Sequence, residues 1–219
     1  MDILFTSVFL VADFILLGAI FKDMHKAVKI LILSNIFFNF SVSFLSPVWA
    51  IFVQGLGGSI LQATIAWGAY NLFAGIFMFL LGRSEDSFNK RILFVFGNFL
   101  NLLGISGYFF VTGFYQLLVV QAFLGTAFAI MNPSFNTIFS KSLTKGREDS
   151  EWGYYGGAIN FVIVITSITT GIIITTLGFH TLFMIMLLTA ILSLAASSLF
   201  LKKEIKKQIR AIAGKNYSV

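Results

Sequence analysis

The sequence predicts an all-α integral membrane protein, and three observations carry that class. Apolar runs of roughly 20 residues, the length that crosses a bilayer, occupy nearly the whole 219-residue chain. Charged residues make up only 11% against 58% hydrophobic, and mean hydropathy is +0.91, whereas about a quarter of a soluble domain is charged. All 15 Lys and Arg fall in four segments, 22–29, 83–91, 141–147 and 202–215, that punctuate the apolar runs. That placement also disposes of the nucleic-acid reading invited by a net charge of +6, since the cations mark span ends rather than a binding face. Cysteine is absent, which excludes disulfides, thiolate metal sites and thiol catalysis.

Taken in order, residues 2–21 form a first candidate span, interrupted near its middle by Asp13. This span has no basic start and no small-residue cleavage site, so it does not read as a signal peptide. An acid at that depth is costly and should face a partner or mark a function. Two origins stay open: a real extra helix, or an upstream start with Met24 as the true initiator, ahead of the basic stretch Met24–Lys29. The second span, 30–53, carries Asn35, Asn39, Ser43 and Ser46 at three- and four-residue steps, which places them on one helix face. Pro47 in that span frees a backbone carbonyl and should bend the helix.

An uncharged turn at 54–59 leads to the third span, 60–81, where Trp67, Asn71, Gly75, Met78 and Gly82 share a stripe. Gly68, Gly75 and Gly82 recur every seventh residue and allow close helix approach. The decapeptide Gly82–Arg91 then joins the third and fourth spans as a tight charged hairpin. The fourth span is 92–110 and the fifth 116–139, the latter with Gln121, Gly125, Asn132 and Asn136 near one face and Pro133 towards its end. A second mixed-charge loop occupies 141–151. The sixth span, 153–177, is rich in small and polar residues, and a short turn at 178–181 leads to the last, 182–201. A basic tail, 202–219, closes the chain.

With seven spans, the four basic segments all lie on one side, and positive residues mark the cytoplasmic side. The expected orientation is therefore amino terminus out and carboxyl terminus in, in the cell membrane. Apart from Asp2 at the very start of the first span, Asp13 is the one acid or base inside any expected span, and the two histidines, His25 and His180, sit at span ends. A membrane enzyme would want paired acids, a His cluster or an activated nucleophile within the spans. Neither an enzyme nor a metal or cofactor site is expected.

Residues 30–201 resemble one six-helix half of a major facilitator superfamily transporter. The resemblance is carried first by the charged hairpin. Gly82, Asp86, Lys90 and Arg91 match that family's loop motif between its second and third helices, while Ser87 stands at a basic position and Asn89 at a glycine. Asn tolerates the left-handed backbone that glycine supplies. The turn Gly178–Phe183 is similar to the family's Gly-Trp-Arg turn before its sixth helix. Gln121–Gly125 sits where many members have Arg-x-x-x-Gly, so proton coupling through that Arg is not implied.

The resemblance implies a domain at 24–201, preceded by the extra helix at 1–23 and followed by the tail. It further implies that the family's first and fourth helices line a solute path, for which Asn35, Asn39, Ser43, Gln121, Asn132 and Asn136 offer neutral hydrogen-bonding groups. Each of these could equally be interhelical glue. The absence of cations and, outside the first span, of carboxylates within the spans favours a neutral or amphipathic solute. The expected working unit is a pair of six-helix halves, most simply a homodimer in the lipid bilayer. A non-transporting remnant or a scaffold for another membrane protein is the alternative.

Overall fold

The computed structural model describes residues 26–82 and 88–215, with side chains described for 28–82 and 88–203. The expected first span with Asp13, and Asp86 of the charged hairpin, lie outside the described residues. Those residues are helical throughout apart from short connections: α1 (Lys26–Ser43), α2 (Trp49–Gly55), α3 (Ile60–Gly82), α4 (Lys90–Gly107), α5 (Phe114–Ser140), α6 (Glu148–Thr176) and α7 (Gly178–Lys215). They build six helical segments long and apolar enough to cross a membrane, the first of them, Val28–Gly55, running through α1 and α2.

Pro47 explains why one span is two helices. Helix α1 stops at Ser43, a 3-10 turn covers Ser46–Val48 with the proline in its first positions, and α2 resumes at Trp49. Within that turn the Val48 N–H donates to Leu45 O, so Phe44 O loses its helical partner. The fully buried Thr170 of α6 donates its hydroxyl to that carbonyl at 2.8 Å. A backbone acceptor in hydrocarbon must be satisfied from within the protein, and a threonine on the neighbouring helix does so here.

The turns follow local chemistry. Gly57 takes φ +78°, and Ser59 with Gln62 forms a reciprocal capping box at the start of α3. Asn89, placed by the resemblance at a glycine, does not adopt a left-handed backbone. Its φ is −69° and its side chain accepts from the Arg91 N–H, so it serves as the N-cap of α4. The 141–151 loop is also shorter than expected, because Glu148, Asp149 and Glu151 already form the first turn of α6. Three carboxylates there suit the positive end of the helix dipole. Glu148 accepts from Gly146 N–H and the buried Glu151 from Thr144 N–H, which folds the loop onto its own helix. At the far end Gly178, at φ +77°, is the first residue of α7, so the connection shrinks to Leu177. The backbone of α7 runs unbroken into the basic stretch for 38 residues, about 57 Å at 1.5 Å per residue. A bilayer core is about 30 Å thick, so the helix projects beyond it.

The packing order is a series: α3 lies on α5, α5 on α4, α4 on α7, α7 on α1 and α1 on α6. Glycines set the closest crossings. A Cβ on Gly97 would fall within 2.6–2.8 Å of Met131 backbone and Cβ atoms, and one on Gly125 would collide with the Tyr70 carbonyl. Helices α3 and α6 end the series and are the least buried spans. Gly68, Gly75 and Gly82 on α3, and Gly153, Gly156, Gly157 and Gly171 on α6, have nothing near their missing Cβ. Those small-residue stripes are therefore not used for packing among the described residues.

Candidate functional site

Three polar groupings sit inside the apolar bundle. In the first, Ser34 of α1 and Ser193 of α7 donate to each other's backbone carbonyls at 2.9 and 2.7 Å. Ser193 also reaches Asn98 Oδ1 of α4, whose amide donates to Phe94 O. All three residues are buried. In the second, Asn35 Oδ1 accepts from Tyr155 of α6 at 2.7 Å and from Asn39 at 2.8 Å, while its amide points at Met131 Sδ of α5. These two groupings satisfy themselves and tie five helices together.

The third is different. Around the Pro47 break the bundle forms a partly open pocket of about 170 Å³ lined from α1, α2, α3, α4, α5 and α7. Ser43, Ser46 and Trp49 reach it because the helix breaks there. Trp49 is fixed by donation from its indole N–H to Ala63 O at 2.9 Å, and Trp67 stacks on Tyr70 at 5.7 Å and 19°. Gly125 allows α3 close enough for Tyr70 to line the same space as Gln121, one turn away on α5. Gln121 is buried and its amide lies 3.4 Å from the Tyr108 hydroxyl. Asn101 of α4 lines the cavity at 1% exposure. Its amide donates to Ser41 Oγ at 3.0 Å, but its Oδ1 has no partner. Among the described residues it is the one buried side-chain nitrogen or oxygen so left. Among the described residues, no charged side chain lines the pocket.

The sequence-derived candidates thus separate. Ser43 and Gln121 line the cavity, whereas Asn35 and Asn39 belong to the satisfied grouping. Asn132 and Asn136 are half-buried on α5 and line neither. Of the hairpin motif, Gly82 ends α3 and Lys90 and Arg91 open α4. Asn101, Tyr108, Ser193 and Tyr155 were not among the candidates. The pair Asn98 and Asn101, three residues apart on an otherwise apolar helix, was the available signal.

A bundle of six apolar spans, with neutral polar groups inside and cations confined to one end, defines a multi-pass membrane protein. The comparisons make this specific. The profile of the Major Facilitator Superfamily matches residues 31–216, and the chain belongs to that family. It is also similar to an uncharacterized MFS-type transporter of Methanocaldococcus jannaschii, 24% identical over 150 residues, or 68% of this chain. The match spans 39% of that relative's length. The family points to a transporter rather than an enzyme.

Proposed function

We propose that this protein carries a small neutral or amphipathic solute across the cell membrane by alternating access, its six-helix bundle acting as one half of a two-half unit, most simply a homodimer. The observation that carries the reading is the uncharged cavity of amides, hydroxyls and aromatic rings inside a family bundle. Burying a full charge without a counter-charge is far costlier than burying a hydrogen-bonding neutral group. The path runs along α1 and α5, through Asn35, Asn39, Ser43 and Gln121, with Asn132 and Asn136 towards the charged end. Parallel pairing is supported by the least buried helices, α3 and α6, whose open glycines suit close approach of a second half. In the family, two halves related by an axis along the membrane normal rock about a site between them. The charged end, with the hairpin motif Gly82, Asp86, Lys90 and Arg91, faces the cytoplasm, with the amino terminus outside.

Uptake into proteoliposomes of a panel of neutral, cationic and anionic solutes tests the function. Saturable uptake confined to uncharged compounds is expected. No uptake of any class, with folding intact, would leave a non-transporting scaffold. A cysteine at Gly75 on the open face of α3 should crosslink to its twin, and a monomer that still transports would sink the dimer. Since the chain has no cysteine, labelling of single cysteines at Gly57 and Ser142 by an impermeant reagent tests orientation. Only position 57 should react in intact cells.

A further inference from the structure

We propose that the charged ends of α1 and α7 together form a patch that binds the headgroups of anionic phospholipids in the surrounding leaflet. The inference goes beyond the transport reading and holds whether or not the bundle moves a solute.

Charge is the first observation. Segments 26–29 and 202–215 carry eight Lys and Arg against one acid, Glu204. That excess of seven is larger than the net +6 of the whole chain. The other basic stretches are nearly balanced: 83–91 sets three cations against Glu85 and Asp86, and 141–151 sets three against Glu148, Asp149 and Glu151. Orienting a span needs only the cations, since acids contribute little to it. Orientation therefore accounts for all four basic segments, but not for the lack of acids in these two.

Geometry is the second. The reciprocal hydrogen bonds of Ser34 and Ser193 set α1 and α7 level at those residues. The helices are antiparallel, so towards the charged end Lys26 stands level with Leu201, just before Lys202. Val28 and Phe200 share one buried cluster, as that register requires. The outward faces end alike. On α7 the exposed residues Leu188, Leu192, Ala195 and Leu199 follow one another at three- and four-residue steps, and the helix carries that stripe on to positions 202 and 206. On α1 the exposed Leu33 is continued towards the same end by positions 29 and 26. Both stripes pass from apolar residues to lysines at the edge of the hydrocarbon.

Reach selects the partner. Positions 202–207 rise about 8 Å along the α7 axis, close to the headgroup layer of about 5–8 Å on each side of a bilayer. A lipid phosphodiester there lies within a Debye length of all of them, about 10 Å at 0.1 M salt. Clusters of cations beside a span attract anionic leaflets in this way. Arg210 and Lys215 lie about 12 and about 20 Å beyond Lys202. A soluble acidic partner would use that whole basic length, whereas a lipid uses only the near part.

The test is electron spin resonance of the full chain in phosphatidylcholine vesicles, with trace spin-labelled phosphatidylglycerol or phosphatidylcholine. At about 0.1 M salt phosphatidylglycerol should associate at least about fivefold more strongly, the scale of one cation near an anionic surface. At about 1 M salt, where the Debye length is about 3 Å, the preference should vanish. Lys29→Gln combined with Lys202→Gln and Lys206→Gln should bring the two lipids within about twofold of each other. Arg210→Gln with Lys215→Gln, and Lys141→Gln with Lys145→Gln in the balanced loop, should each leave the preference within about twofold of the wild type. The salt series uses the unaltered protein and stands if a variant does not fold. No preference for phosphatidylglycerol, a preference that survives about 1 M salt, or equal losses in the Lys141 and Lys202 variants would each overturn the patch. A loss led by Arg210 and Lys215 would also overturn it, in favour of an acidic soluble partner.

Discussion

The two ends of the bundle solve the same packing problem differently. At the charged end, the helices close around a dense aromatic group. Phe135 stacks on Phe139 at 5.5 Å, and Trp152 and Tyr155 meet Phe139 at 4.8 and 5.2 Å. The polar atoms beside it are shared among Asn35, Asn39 and Tyr155. At the uncharged end, Phe52 gathers Tyr108, Phe179 and Phe183 at 5.2–5.9 Å, yet beside that cluster lies the pocket with Asn101, whose Oδ1 has no partner. One end has its polar groups satisfied and the other leaves one acceptor without a partner. On the transport reading proposed above, the close-packed end would act as a closed gate, and the end with free volume would receive a solute without first being pulled apart.

The contrast is broken most directly at the crossing glycines. Gly97→Ala at the charged end forces a methyl against Met131 backbone, which cannot step aside. We expect a loss of about 1–3 kcal/mol, the usual cost of overpacking, read as a lower unfolding midpoint in detergent. Gly104→Ala meets instead the far end of Leu124, which itself lines the cavity. That side chain can swing into free volume, so the loss should stay below about 1 kcal/mol. Equal losses at the two sites would mean that the uncharged end is as rigid as the charged one.

Most of this architecture was legible from residue order. Six of the expected spans, their short connections and the proline break all follow from apolar run length, charge placement and the lack of a proline N–H. What escaped was the consequence of the break. Asn35, Asn39, Ser43 and Ser46 share a face on an ideal helix, but Pro47 ends α1 after Ser43, so Asn35 joins the satisfied grouping and the two serines line the cavity. Periodicity assumes a straight helix and cannot report which neighbour each turn meets. Asn101 was missed for a similar reason. Its importance lies in the partner that its Oδ1 lacks, a property of the packed bundle rather than of α4 alone. Asn89 was misread because a residue that tolerates φ > 0 is equally a good helix cap, and the cap prevailed.

Smaller effects sharpen the comparison. Thr170→Val removes the donor that holds Phe44 O at the break. Hydrogen bonds between membrane helices average about 0.6 kcal/mol and reach about 1.7. The loss here should lie near the upper value, because no water replaces the donor. Its functional mark should be a change in ligand binding at the cavity, since Ser43 and Ser46 flank that carbonyl. At the charged end, Tyr155→Phe withdraws one of two donors from Asn35 Oδ1. Asn39 remains, so the loss should be nearer about 0.6 kcal/mol and binding at the cavity should not change. A double-mutant cycle with Asn35→Ala isolates the pair, and a coupling near zero would show that Tyr155 merely fills space.

The smallest expected effect on folding is at Gly75. A methyl there meets nothing within 4 Å, unlike one at Gly97 or Gly125. Alanine in place of a mid-helix glycine is intrinsically favourable by about 0.5–1 kcal/mol, so Gly75→Ala should leave the unfolding midpoint unchanged or slightly raised. Bulk should matter only when a second half approaches this face of α3. Gly75→Leu, equally harmless to the isolated bundle, should then weaken association measured by energy transfer between labelled copies in vesicles, and flux should fall with it. The control is Leu72→Ala one turn away, where a large exposed side chain is shortened and packing of glycine against a partner is untouched. A Gly75→Leu protein that pairs and transports like the wild type would place the second half elsewhere and leave the α3 stripe to lipid.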